Sequence, residues 1–108
     1  MSSTSEAWLN NLSSAVRRTL WWVFTGNRGG PNRARLIVAL KEQPMNANQL
    51  ATKLAMDYKT IRHHLFILLK NHLVLEAGEG YGAMYFLSPE LEHDYEEFLR
   101  IWTAIERR

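Results

Sequence analysis

Only two residues, Ala55 and Met56, separate two stretches whose apolar side chains recur at helical spacing, and so short a link obliges two helices to cross closely. In the first stretch Asn46 starts a short helix over residues 47–54, with Gln49 three positions on as a partial capping box, and Ala51 is small enough to let another helix approach. In the second, Asp57 can accept hydrogen bonds from the free N–H groups of the following turn, and Ile61, Leu65, Leu68 and Leu69 share one face. That face is committed to a core. The opposite face collects Tyr58, Lys59, Arg62, His63 and Phe66, with Thr60 in the first turn. These include side chains that reach base edges and phosphates when a helix N-terminus enters a major groove.

After the second helix the period changes. Leu73-Val74-Leu75-Glu76-Ala77 and Ala83-Met84-Tyr85-Phe86-Leu87 read as strands, and between them Gly78-Glu79-Gly80-Tyr81-Gly82 places three glycines in five residues, so a β-hairpin is expected. A two-turn helix, a tight connection, a longer basic helix and a hairpin make a helix-turn-helix with a wing. The expected fold class is mainly α with a small β-hairpin wing, a winged helix-turn-helix with long N- and C-terminal helices.

Over residues 32 to about 87 the chain resembles the winged helix-turn-helix domain of the ArsR-like (arsenic-repressor-like) transcription regulators, and it is most similar to archaeal members of that group. The fragments that carry the resemblance are Gln49-Leu50-Ala51, Thr60-Ile61-Arg62-His63-His64-Leu65 and Asn71-His72-Leu73-Val74, in order and at family spacing. The resemblance implies a transcription regulator that binds specific sites on double-stranded DNA as a homodimer, with a recognition helix over residues 58–71 in the major groove. It places Lys59, Thr60, Arg62 and His63 where base and phosphate contacts are made. Two positions depart from the family pattern: Phe66 stands where a polar or basic residue is common, and the wing tip offers Glu79 and Tyr81 in place of arginine or lysine. The wing is therefore expected to touch DNA little.

Charge distribution agrees with a polyanion as partner. Residues 1–75 hold ten Lys or Arg against three acidic residues, giving +7, whereas residues 76–108 hold three against eight, giving −5. One surface can then face nucleic acid while the other stays off it. At 108 residues the chain suffices for one compact unit. It divides into residues 1–31, a dimerisation helix and Arg/Gly loop; residues 32–87, the DNA-binding domain; and residues 88–108, a second dimerisation helix. The absence of cysteine removes disulfides, thiolate metal sites and thiol redox sensing. The N-terminal residues lack a secretory pattern and the longest apolar run is far short of a membrane span, so a soluble protein of the cytoplasm, with no membrane partner, is expected.

Both ends read as helices that pack. Ser3 with Glu6 forms a capping box, and Trp8, Leu9, Leu12, Val16, Leu20, Trp22 and Val23 supply an apolar seam; Ser88 caps and Pro89 opens the last helix, where Leu91, Tyr95, Phe98, Trp102 and Ile105 repeat at spacings of four and three. Covering four tryptophans needs more surface than one small domain supplies, so these residues are the expected homodimer interface. A dimer would set two recognition helices about 34 Å apart on one face of a duplex.

Between the first helix and the domain, Gly26 can end one helix, Asn32 can cap the next, and Arg28, Arg33 and Arg35 lie within eight residues. Arg28 and Arg33, with Tyr58, are expected to give auxiliary phosphate contacts; the competing reading has the glycines turning the chain and Arg33 and Arg35 pairing with acidic residues of the terminal helices. His64 and His72 read as core or capping histidines. Glu90, His93 and Glu97 share one side of the last helix, and a solvated acidic face is preferred there to a metal site. No phosphate-binding loop, nucleophile elbow or HExxH motif is present, so neither an enzyme nor a cofactor is expected. The alternative function is a winged-helix protein–protein interaction module without specific DNA binding, which an exposed Phe66 and an acidic wing would favour.

Overall fold

The computed structural model describes residues 18–19, 22–24 and 29–106. The N-terminal capping box at Ser3 and Glu6, the seam residues Trp8, Leu9, Leu12, Val16 and Leu20, and the loop residues Gly26 and Arg28 lie outside the described residues, as does the side chain of Ile105. Residues 18–19 and 22–24 are helical, and Val23 and Phe24 are fully buried.

Helix α1 spans Gly30–Glu42. It begins earlier than the sequence reading placed it: Gly29, not Asn32, is the N-cap, because Pro31 fits the first turn, where its missing N–H costs nothing, and Asn32 falls inside the helix. Ala34, Leu36, Ile37, Ala39 and Leu40 are buried, leaving little of the helix to solvent. Gln43 turns to extended backbone (φ −165°, ψ 152°) ahead of Pro44, which ends the helix.

Strand β1, Met45–Asn46, was not foreseen, since two residues show no alternation. Asn46 then caps α2, Ala47–Leu54, through a complete capping box: its Oδ1 accepts from the Gln49 N–H and its own N–H donates to Gln49 Oε1, both at 2.8 Å. The helix buries Ala47, Leu50 and Leu54 and stops at Ala55, which adopts the left-handed conformation (φ 54°, ψ 47°). Helix α3, Tyr58–Lys70, starts where Asp57 accepts from the Lys59 N–H at 3.0 Å, and it buries Ile61, His64, Leu65 and Leu68.

Strands β2, Val74–Ala77, and β3, Met84–Leu87, form the hairpin, with Glu76 opposite Tyr85 and Ala77 opposite Met84. Gly78 (φ 91°) and Gly80 (φ 64°) supply the positive dihedrals that this turn needs. β1 adds to the far side of β3, so the sheet order is β1-β3-β2 and β3 is central, with Tyr85 and Leu87 buried.

The C-terminal helix is not continuous. Ser88 caps α4, Pro89–His93, by accepting from the Leu91 N–H at 3.1 Å; the backbone then turns at Asp94 (φ −103°, ψ 22°) before α5, Tyr95–Glu106. The Asp94 carbonyl accepts from both Glu97 and Phe98, so a residue that favours helix starts opens the second segment. Phe98 packs edge-on to Phe24 with centroids 5.1 Å apart and stacks obliquely against Tyr95 at 5.4 Å. No helix among the described residues is long and apolar enough to cross a membrane.

Candidate nucleic-acid interface

The face of α3 turned from the core carries the polar residues expected there. Lys59, Thr60, Arg62 and His63 are exposed and Tyr58 is half-buried, because Ile61, His64, Leu65 and Leu68 rotate the other side of the helix onto α1 and α2. Phe66, one turn beyond Arg62, is also open, with 63% of its surface accessible.

The hairpin closes against this face. Arg62 Nη1 donates to the Tyr85 hydroxyl at 2.7 Å, and that hydroxyl donates to Glu76 Oε2, also at 2.7 Å. Tyr85 is only 1% exposed. Its hydroxyl is pushed up to about 12, first by burial and then by the bond to Glu76, with the Arg62 charge opposing, so it is a neutral donor throughout the physiological range. At the outer end Tyr58 and Tyr81 approach to 6.2 Å between ring centroids. Together Tyr58, Arg62, Glu76, Gly80 and Tyr81 line a groove of about 310 Å³ between helix and hairpin.

Arg33 is not at this surface. Contrary to the expectation of a phosphate contact, it is 1% exposed; Nε and Nη2 donate to the Val23 carbonyl at 3.2 and 3.0 Å, and Nη1 lies 3.3 Å from His64 Nδ1. A guanidinium can only donate, so His64 Nδ1 accepts and the ring proton sits on Nε2. Burial first, then the charges of Arg33 and His63, push the His64 imidazole down to about 4, which keeps it neutral. The helical periodicity of 33, 36, 37 and 40 carries Arg33 inward, and its long side chain then needs an internal acceptor. Arg35 is exposed and donates to the Leu54 carbonyl at 3.0 Å and to Asn32 Oδ1 at 3.4 Å, so its partners differ from the acidic ones considered.

Of the seam residues within the described chain, Val23, Leu91 and Phe98 are buried in the subunit's own core and have no surface left for a second copy. Trp22 is 57% exposed, and Tyr95 and Trp102 are half-buried. Glu90 and His93 are exposed; His93 lies 3.3 Å from Asp94, and Glu97 pairs with Arg100 at 2.6 Å.

Residues 30–75 match the family model described as "Bacterial regulatory protein, arsR family". Among solved structures, reduced HlyU from Vibrio cholerae superposes with a TM-score of 0.62 at 16% identity, covering 94% of this chain and 98% of that one. The chain folds as a winged helix-turn-helix. A "probable transcriptional regulator" from Pseudomonas aeruginosa is similar with TM-score 0.63 and 26% identity over 94% of this chain and 79% of that one. The homodimeric winged helix-turn-helix DNA-binding domain of a Mycobacterium bovis protein gives 0.55 at 21% identity over 94% and 81%. No curated protein matches in sequence.

In this winged helix, α2 and α3 are the helix-turn-helix and β2–β3 the wing. The sequence reading named Lys59, Thr60, Arg62 and His63, which the fold leaves exposed along α3, but missed Tyr85 and Glu76. Tyr85 left a partial signal, since it alternates with Leu87 on the inward side of its strand and a buried tyrosine requires a polar partner for its hydroxyl, but nothing local names that partner.

Proposed function

We propose that this protein is a DNA-binding transcription regulator of the ArsR-like type that acts as a homodimer and reads specific double-stranded sites with α3 in the major groove. The observation that carries the proposal is the co-exposure of Lys59, Thr60, Arg62 and His63 along one face of a helix whose other face is fixed in the core. Tyr58, which lines the groove beside Arg62, is assigned an auxiliary phosphate contact in this reading. The match of residues 30–75 to arsR-family regulators and the likeness to a homodimeric DNA-binding domain support the reading. A similarity to archaeal members rests on the helix-turn-helix fragments, and the likeness to a bacterial regulator family is in keeping with action in the cytoplasm, where such a chromosome lies. Exposed Trp22 and Leu99 and half-buried Tyr95 and Trp102 supply the apolar surface that a second copy covers.

The test is selection of bound fragments from genomic DNA, followed by titration of the selected duplex with wild-type chain and Arg62→Ala. Arg62→Ala is expected to weaken specific binding by about 1–3 kcal/mol with the dimer intact. Wild-type-like binding by that variant defeats the assignment. A second reading, a protein-interaction module, is favoured by the exposure of Phe66 and Tyr81. Salt separates the two, since DNA affinity falls steeply with ionic strength through counterion release and an apolar contact changes little.

A further inference from the structure

We propose that the wing of this protein is a brace for the recognition helix, and that Tyr85 and Glu76 are positioning residues that hold Arg62 to read guanine. The inference rests on the DNA-binding reading above and adds what Arg62 reads and what aims it. Among the described residues, Arg62 has one hydrogen-bond partner, the Tyr85 hydroxyl, and that hydroxyl is fixed in turn by Glu76 directly across the β2–β3 pair. Tyr85 is central in the sheet and buried, so its oxygen is a fixed point. A long flexible side chain is thereby reduced to few conformers before any ligand arrives, which removes part of the ordering cost of binding.

Geometry selects the ligand edge. With Nη1 engaged by Tyr85, the edge on which neither nitrogen is engaged is Nε with Nη2, two parallel donors. Two adjacent acceptors satisfy that edge, and in a major groove the pair is O6 and N7 of guanine. The Glu76 carboxylate, linked to Arg62 through the hydroxyl, offsets its charge locally. A cation so compensated gains less from phosphates in general and keeps its directional hydrogen bonds. The wing tip, with Glu79 and Tyr81, offers no cation of its own, and its strands serve α3 instead.

Three readouts on the full chain test this. The first is the affinity for the selected duplex against that for a scrambled duplex, for wild type, Tyr85→Phe and Glu76→Ala. Tyr85→Phe is expected to lower this specificity ratio about tenfold with scrambled-duplex affinity held, and Glu76→Ala to lower it about threefold while raising scrambled-duplex affinity, since it removes the charge that offsets Arg62. The second replaces the contacted guanine with 7-deazaguanine, which removes N7 alone: wild type loses about tenfold and Tyr85→Phe loses little more, since the two changes act on one contact. The third needs no DNA: the Arg62 guanidinium resonances in ¹⁵N spectra show slowed rotation in wild type and free rotation in Tyr85→Phe. Slowed rotation together with a lowered ratio supports the proposal. A ratio held within about twofold by Tyr85→Phe overturns the positioning role while leaving DNA binding standing. If wild type binds neither duplex, the functional reading falls and the inference with it. Glu76 lies on an exposed strand position, so Glu76→Ala decides the matter should Tyr85→Phe fail to fold.

Discussion

Arg33 Nη1 stands 3.3 Å from His64 Nδ1 inside the subunit, so a permanent cation is packed against an imidazole that must stay neutral. Arg33 on α1 and His64 on α3 thus meet on the core side of α3, where the same guanidinium holds the Val23 carbonyl of the N-terminal helical segment. The contact ties three parts of the chain to one side chain.

Stability is expected to fall on acidification within a defined window. The folded chain binds the His64 proton only near pH 4, whereas an unfolded histidine binds it near 6.5. Between those values the unfolded state holds more protons, so stability rises with pH through the window and is lost as pH drops from 6.5 towards 4, by up to about 3 kcal/mol. Urea unfolding midpoints at pH 7.5 and 5.0 report it. His64→Gln, whose amide oxygen can still accept from Arg33, should flatten the slope, and an unchanged slope would show that His64 is not its source.

Arg33→Met should destabilise the fold by about 3 kcal/mol, because it deprives the Val23 carbonyl and His64 Nδ1 of their charged donor in a buried site. The salt dependence of DNA binding should not change, since a side chain that solvent does not reach releases no counterion. Thermal denaturation and anisotropy titrations on one preparation measure both; a shallower salt slope would return Arg33 to the DNA surface.

Arg33 also marks where sequence reasoning stopped. Local rules placed the Asn46–Gln49 capping box, the Asp57 cap, the core face of α3 and the hairpin, because each depends on neighbours a few residues apart. Arg33, Tyr85 and Glu76 obtain their meaning from partners 31, 23 and 9 residues away, which periodicity cannot supply. The break at Asp94 was hidden for a related reason. Leu91, Tyr95, Phe98 and Trp102 keep helical spacing through it, so the apolar pattern runs on although the backbone turns.

Among the described glycines, Gly30 is the one where a methyl group should cost most. A Cβ there would land on the Phe24 carbonyl, a backbone atom that cannot rotate aside, so Gly30→Ala is expected to destabilise by about 2–3 kcal/mol. Gly82→Ala, whose Cβ meets nothing within 4 Å, should stay within about 0.5 kcal/mol of wild type. Calorimetry of the pair checks it, and equal melting temperatures would refute the close approach of α1 to the N-terminal segment.

Lys59 and Arg62 should separate attraction from reading. Lys59 is exposed in the first turn of α3 with no carboxylate partner among the described residues, so its charge is free to displace counterions from a phosphate. Lys59→Ala should therefore weaken binding to all duplexes alike and reduce the salt slope by about one. Arg62 shares its charge with Glu76 through the Tyr85 hydroxyl, so Arg62→Ala should change the slope less while lowering discrimination between selected and scrambled duplexes by about 1–3 kcal/mol. Titrations at several salt concentrations give both quantities for each variant. If Arg62→Ala lowers the slope as far as Lys59→Ala and leaves discrimination intact, Arg62 is a phosphate contact and the bases are read from elsewhere on the helix.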